Sequence, residues 1–269
     1  MGSRRRSGWT RLGVAAAVLV ACALPGRAAA QAGPVAMDGQ WHFIVAPYIW
    51  FTGMKGDVSV KGIVDIPIDK SFSDVISDFH FGFQGHFEGR KDRIGFATDL
   101  MYVNLHVPVA TNAPILGQLG LDTTIKQITF EGLGFYRLAQ GGPTDNPASL
   151  DVLVGARVYA TSNQLNAELP AGEIEGGKQT FSWVDGLIGL RFRAPLGSRV
   201  ALLGRGDVAG FGSKFTWNLE GDLAARLSEH WAVGAGWRHM SIDYDKAGTD
   251  DKLFDLAYDG PRTWFSYAW

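Results

Sequence analysis

Beyond residue 30 the sequence contains no cysteine; the single thiol is Cys22. That leaves the rest of the chain no disulfide, no thiol chemistry and no Cys-ligated metal site. Charge excess is also missing. Lys and Arg number 25 and Asp and Glu 27, a net charge of −2, so there is no broad attraction to nucleic acid. After residue 30 no apolar run approaches the 18 or so residues that a membrane-spanning helix needs. What the chain has instead is 35 Gly, 16 Phe and 9 Trp without low complexity. Glycines suit turns and close strand contacts, and aromatics suit strands and interfacial belts, so the composition reads as β-rich.

Residues 1–30 read as a signal peptide. Arg4, Arg5, Arg6 and Arg11 form a positive region, and Leu12–Leu24 is an apolar stretch of 13 residues. That is too short to cross a bilayer comfortably, and Ala28-Ala29-Ala30 before Gln31 is a small-residue cleavage site. A rival lies at Leu19-Val20-Ala21-Cys22, which has the form of a lipobox and would lipidate Cys22. A chance match in an Ala-rich run is the simpler reading, so cleavage after Ala30 is expected. The division that follows is a signal peptide at 1–30, a short N-terminal periplasmic segment at 31–40 and a barrel at 41–269.

The hydrophobic period is two. Asp78–Arg90 (DFHFGFQGHFEGR) puts Phe79, Phe81, Phe83 and Phe87 on one side and His80, Gln84, His86, Glu88 and Arg90 on the other. A helix would scatter these rings; a strand collects them. The same alternation runs through Leu150–Ala160, Ser182–Ala194, Val200–Gly210 and Phe215–Leu227. Weaker strands are read at 41–52, 94–107, 124–138, 231–244 and within 253–269. About ten strands result, each near the 9–11 residues that cross a bilayer when tilted. Connectors after Arg90, Ala194 and Leu227 are short, whereas 53–77, 108–121, 162–178 and 245–251 read as longer loops. Short turns at one end and long loops at the other predict a closed antiparallel up-and-down transmembrane β-barrel, all-β, of about ten strands, with eight or twelve as fallbacks. Two connectors break the pattern: 139–148 is long for its end, and 210–214 is short.

Alternation alone does not separate this from a soluble lipocalin-like barrel, whose apolar face points inward. Two features favour the membrane. The polar face carries opposite charges at matching heights. The apolar face is rich in Phe and Trp, and Phe265, Tyr267 and Trp269 share one side of the last strand, where they are expected to serve as a C-terminal assembly signal. Pro47-Tyr48-Ile49-Trp50-Phe51, Phe72–Gly85 (FSDVISDFHFGFQG), Gly204–Trp217 (GRGDVAGFGSKFTW) and Gly236–Tyr244 (GWRHMSIDY) resemble a family of proteobacterial outer-membrane β-barrel proteins, the small OmpA/OmpW-like barrels. The resemblance implies the location (the Gram-negative outer membrane) and the fold, and carries no activity with it. One departure is Ala268, which stands where the family ending usually has an arginine between two aromatics.

The strand phases turn eight carboxylates inward: Glu88, Asp99, Glu131, Asp151, Asp185, Asp207, Glu220 and Asp222. They also turn eight arginines inward: Arg90, Arg137, Arg157, Arg191, Arg193, Arg205, Arg226 and Arg238. Buried charges must be paired, so an internal ion-pair network is expected, formed chiefly by Glu88, Asp99, Glu131, Arg157, Asp185, Arg191, Arg205, Asp207, Glu220 and Arg238. It would fill a narrow lumen; the alternative is a polar constriction that passes small solutes. Phe81, Phe83, Val152, Val154, Ile188 and Leu219 are expected to face lipid, and Gln84 the lumen. His80 and His86 stand six residues apart, roughly 20 Å along a strand, too far to share an ion. His239 with Asp243 would be the seed of a rim catalytic pair, but no second acidic pair joins them. The acidic stretch Asp243–Asp251 lacks the ligand spacing of a calcium loop. In the longest loop, 57–69 alternates as a hairpin would, Pro67 confines it to an edge, and Ser71-x-x-Asp74 resembles a helix N-cap. No cofactor or metal and no catalysis is expected. The expected partners are outer-membrane lipid, the barrel-assembly machinery and small solutes. A transporter of small apolar molecules and a rim enzyme are the alternatives.

Overall fold

The computed structural model describes residues 37–60, 64–71, 73–74, 79–110, 120–143, 146–169, 172–245 and 252–269. The expected signal peptide, its cleavage site and Cys22 lie outside them. Twelve strands form one antiparallel sheet. They are β1 (Trp41–Trp50), β2 (Gly53–Val60), β3 (Val64–Lys70), β4 (Phe79–Lys91), β5 (Ile94–Ala110) and β6 (Gly120–Gly141). The second half holds β7 (Ala148–Leu169), β8 (Gly172–Pro195), β9 (Val200–Gly210), β10 (Phe215–Arg226), β11 (Trp231–Asp245) and β12 (Lys252–Ala268).

Ten of these close a barrel in the order β1-β4-β5-β6-β7-β8-β9-β10-β11-β12, with β1 returning to β12. The closing seam pairs Ile44 with Ala268 and Trp50 with Arg262. At its end, Phe43 and Trp269 exchange both backbone hydrogen bonds. The remaining two strands are the hairpin read at 57–69. β2 pairs with the upper part of β12 from Gly53 to Val58, and β3 is an edge strand that carries Pro67, where a missing N–H does least harm.

The barrel end at which β1 starts and β12 stops has tight turns, such as Asp92-Arg93 and 196–199. Gly39 N–H donates to Asp92 Oδ1 at 2.9 Å and ties the N-terminal segment to the first of them. At the opposite end β6, β7 and β8 reach 22, 22 and 24 residues. Here the structure corrects the loop read at 162–178: β7 and β8 stay paired from Ser162↔Thr180 to Leu169↔Gly172. The reason is physical. Above a bilayer both faces of a strand meet water, so a ladder can continue without the alternation that marks it lower down. By contrast β9 and β10 are short, and the wall is low at the turn 211–214 that joins them.

The outer face is apolar. Phe83, Val154, Ile188 and Leu219 are exposed, Val154 at 63 %, and Val152 on the same face is half-buried among its neighbours. The Phe81 side chain lies outside the described residues. Near the turn end Trp41, Phe43, Phe87, Phe96 and Trp269 form a girdle with ring centroids 5.7–6.4 Å apart. Trp231, Phe265 and Tyr267 continue it. A continuous apolar band with an aromatic rim is what hydrocarbon and its interface stabilise, and the inner face is its opposite. The fold is a ten-stranded transmembrane β-barrel. Among the described residues no helix is long and apolar enough to cross a membrane.

Candidate functional site

Even-numbered neighbours of the terminal aromatics point inward, and the lumen they and their counterparts fill has three layers. The middle layer is the charged one. Arg157, 0 % exposed, donates from Nε and Nη2 to Glu131 Oε2 at 2.9 and 2.6 Å and from Nη2 to Asp207 Oδ1 at 2.8 Å. Arg205 pairs with Glu131 and Asp207, each at 2.8 Å. Asn218 Nδ2 donates to Asp207 and Glu220, and its Oδ1 accepts from Arg238 Nε at 2.8 Å. Arg262 pairs with Glu220 and, at 3.1 Å, with Asp222. Strands β6, β7, β9, β10, β11 and β12 are thereby tied across the interior.

Toward the turn end lies a chamber of about 240 Å³. Its lining takes in Arg205, Glu220, Asp222 and Arg262 of the middle layer as well as Arg191, which reaches from β8 to Glu88 on β4 at 2.6 Å and also holds Asp151 at 2.9 Å. Arg137 binds Asp151 from the other side at 2.7 Å. Asp99 accepts from Tyr48 Oη at 2.6 Å and has His86 at 3.6 Å, so it enters the network through a phenol and an imidazole rather than an arginine. At this end Asn146 and Pro147, just before β7, are buried. Asn146, 2 % exposed, donates to the carbonyls of Gly197 and Val200 and accepts from Arg193 Nη2 at 2.6 Å.

Toward the loop end the lumen is apolar, which corrects the expectation of a charged filling throughout. Tyr48, Trp50, Met54, Met101, Tyr159, Trp183, Met240, Ile242, Leu256 and Tyr258 form one buried cluster. Trp183 stacks on Tyr159 at 4.7 Å and on Tyr244 at 4.3 Å. The guanidinium of Arg238 lies 4.6 Å over the Trp50 ring, where charged and apolar layers meet.

Two further expectations are corrected. Asp185 is inward and fully buried, but among the described residues none of its hydrogen bonds or ion pairs is with an arginine. Its carboxylate accepts from the N–H groups of Gly212 and Ser213 and from the hydroxyls of Ser213 and Thr216, so it caps the low turn at 211–214. His239 does not pair with Asp243. It stacks on Trp217 at 4.5 Å and meets Asp259 at 3.0 Å on the outer face, while Asp243 faces Lys214. Gln84, expected inward, accepts the Trp50 N–H at 2.9 Å just above the point where the β1–β4 ladder stops at Pro47. Ser71 and Asp74 exchange hydrogen bonds as a capping pair, and the carboxyl of Asp74 is held below its usual range by Ser71. Of the acidic stretch 243–251, residues 246–251 lie outside the described residues, and no group of metal-binding side chains is found among those described.

The sequence reading missed Arg262, Tyr48 and His86 as members of the network. The signal for Arg262 was present: it stands an odd number of positions before Trp269, opposite the terminal aromatics.

No protein-family model matches the chain, and no curated protein does. Among solved structures it is similar to the translocator domain of autotransporter NalP from Neisseria meningitidis, with TM-score 0.41 and 14 % identity over 86 % of this chain and 90 % of that one. It is also similar to outer membrane protease OmpT from Escherichia coli (TM-score 0.42, 9 % identity, 87 % and 97 %). A third is Ail, the attachment invasion locus protein of Yersinia pestis (TM-score 0.34, 11 % identity, 85 % and 98 %). All three are outer-membrane proteins of different function. Similarity at this level transfers none of those functions, and the fold stated above rests on strand pairing and on the two faces of the wall.

Proposed function

We propose that the protein is a Gram-negative outer-membrane barrel that is closed to ions and catalyses no reaction. In this reading residues 1–30 are removed on export, and the surrounding lipid and the barrel-assembly machinery are its partners. Phe265, Tyr267 and Trp269 present the assembly signal on the lipid face. The observation that carries the closed state is direct contact across the lumen. Arg191 on β8 reaches Glu88 on β4, four places away in a ring of ten. Tyr159 on β7 reaches Met240 on β11, and Tyr258 on β12 reaches Gln127 on β6, also four places away. With charged and apolar layers both bridged, a through-path for hydrated ions is stopped twice. Absence of catalysis is supported by the position of His239, stacked on the outer face away from any carboxylate pair in the lumen.

Planar-bilayer recording tests this. The expected result is little or no steady current from the purified protein; a large, stable, ion-selective current overturns the reading and makes the chain a porin. Heat-modifiable migration in an outer-membrane fraction is expected alongside, and recovery as a soluble periplasmic protein overturns the location.

A further inference from the structure

We propose that the chamber at the turn end of the lumen is a binding site for a phosphate-class dianion, held between Arg90 and Arg193. The inference goes beyond a closed barrel, because a site entered from one end needs no through-path.

Arg90 is 4 % exposed and lines the chamber, and its Nε and Nη1 have no hydrogen-bond acceptor among the described residues. Two buried guanidinium nitrogens without an acceptor are costly until one reaches them, and an anion supplies both acceptor and countercharge. Arg193 lines the same chamber. Asn146 takes its Nη2, and its Nε has no acceptor.

Placement brings the two together. Glu88 on β4 and Arg191 on β8 touch directly at 2.6 Å. Arg90 and Arg193 are each two residues further along those strands toward the turns, so they occupy the next inward position on the two strands that the bridge joins.

The nearby carboxylates are already engaged: Glu88 by Arg191, and Asp151 by both Arg191 and Arg137. Of the arginines around the chamber, Arg137 and Arg191 are paired with Asp151 and Glu88, Arg205 with Glu131 and Asp207, and Arg262 with Glu220 and Asp222, whereas Arg90 and Arg193 bring two positive charges that form no ion pair among the described residues. Arg226, which donates to the Ser198 carbonyl, adds a like charge within electrostatic reach of Arg193.

The chemistry selects among anions. Guanidinium forks match carboxylate and phosphate oxygens bidentately. Two unpaired positive charges favour a dianion over a monoanion, and a phosphate monoester, with a second pKa of about 6, is dianionic at neutral pH. The chamber volume accommodates a phosphate together with bridging water.

The test is calorimetric titration of the folded barrel in detergent at pH 7.5. Sodium phosphate and sodium acetate are compared at matched ionic strength. The expected result is saturable phosphate binding, at least about tenfold tighter than acetate, with Arg90→Met and Arg193→Gln each weakening it about tenfold or more. Because Arg90→Met removes a buried cation with two nitrogens that lack acceptors, its heat-modifiable form is expected to melt no lower than wild type without phosphate. Should Arg90→Met fail to fold, Arg193→Gln at the half-buried position carries the test. No saturable phosphate binding, equal affinity for acetate, or unchanged affinity in the folded variants overturns the proposal.

Discussion

Arg157 and Ile242 are both 0 % exposed inside the same barrel, one in the charged layer and one in the apolar layer. Each lies inside a wall whose outer face meets lipid. Arg157 is held by two carboxylates on β6 and β9, and Ile242 by van der Waals contact within a cluster of aromatics and methionines. The difference concerns tolerance. A charged layer is stable only as a complete set, because a lone survivor retains its full desolvation penalty. An apolar layer loses stability in proportion to the atoms removed.

That contrast has a scale. Arg157→Ala is expected to destabilise the barrel by about 3–5 kcal/mol, since Glu131 and Asp207 lose a shared buried partner. Chemical unfolding in lipid vesicles measures it, and a loss below about 1 kcal/mol would erase the distinction between the layers. Removing Glu131 as well is expected to cost less than the sum of the separate deletions, a coupling that a double-mutant cycle reads. In the apolar layer Ile242→Val is expected to cost only about 0.5–1.5 kcal/mol and to add to a second substitution such as Val208→Ala on the outer face. The smallest effect belongs outside the membrane. The carboxyl of Asp38 is held below its usual range chiefly by its hydrogen bond to His42. A depressed carboxyl favours the folded form above its unfolded value, and that contribution fades as pH falls through the folded one. At a fully exposed site, His42→Ala is expected to move the Asp38 titration, followed by NMR, up toward the ordinary range, with the Gln40 N–H still lowering it, while the melting midpoint stays put.

Much of the wall was legible from alternation alone. Phe83, Val154, Ile188 and Leu219 face out, and Arg157, Glu131 and Asp207 face in, because a period of two allows only two phases and charge decides between them. The ends of β7 and β8 were not legible, since strands above a bilayer lose the alternation that identifies them. The apolar outer lumen was hidden for a related reason. Met240 and Ile242 share the inward parity of Arg238, but an apolar residue on either face looks the same in the sequence. Asp185 shows a further limit: parity placed it inside, and only the fold shows that the short β9–β10 turn comes down to meet it.

The seam between β1 and β12 has a consequence for how the barrel comes into being. Neighbours along most of the wall are joined by local hairpins, whereas Ile44 and Ala268 are 224 positions apart. Closing a longer segment costs about 0.6 kcal/mol more for each doubling of its length, so this is the contact with the steepest entropic penalty and the least chance of forming early. Until it forms, β1 and β12 each present an unpaired edge in hydrocarbon, where no water can satisfy it. The growing sheet is thus under pressure to complete its circle in a single event, and the Phe43–Trp269 pair works as the clasp whose fastening turns a folded ribbon into a cylinder.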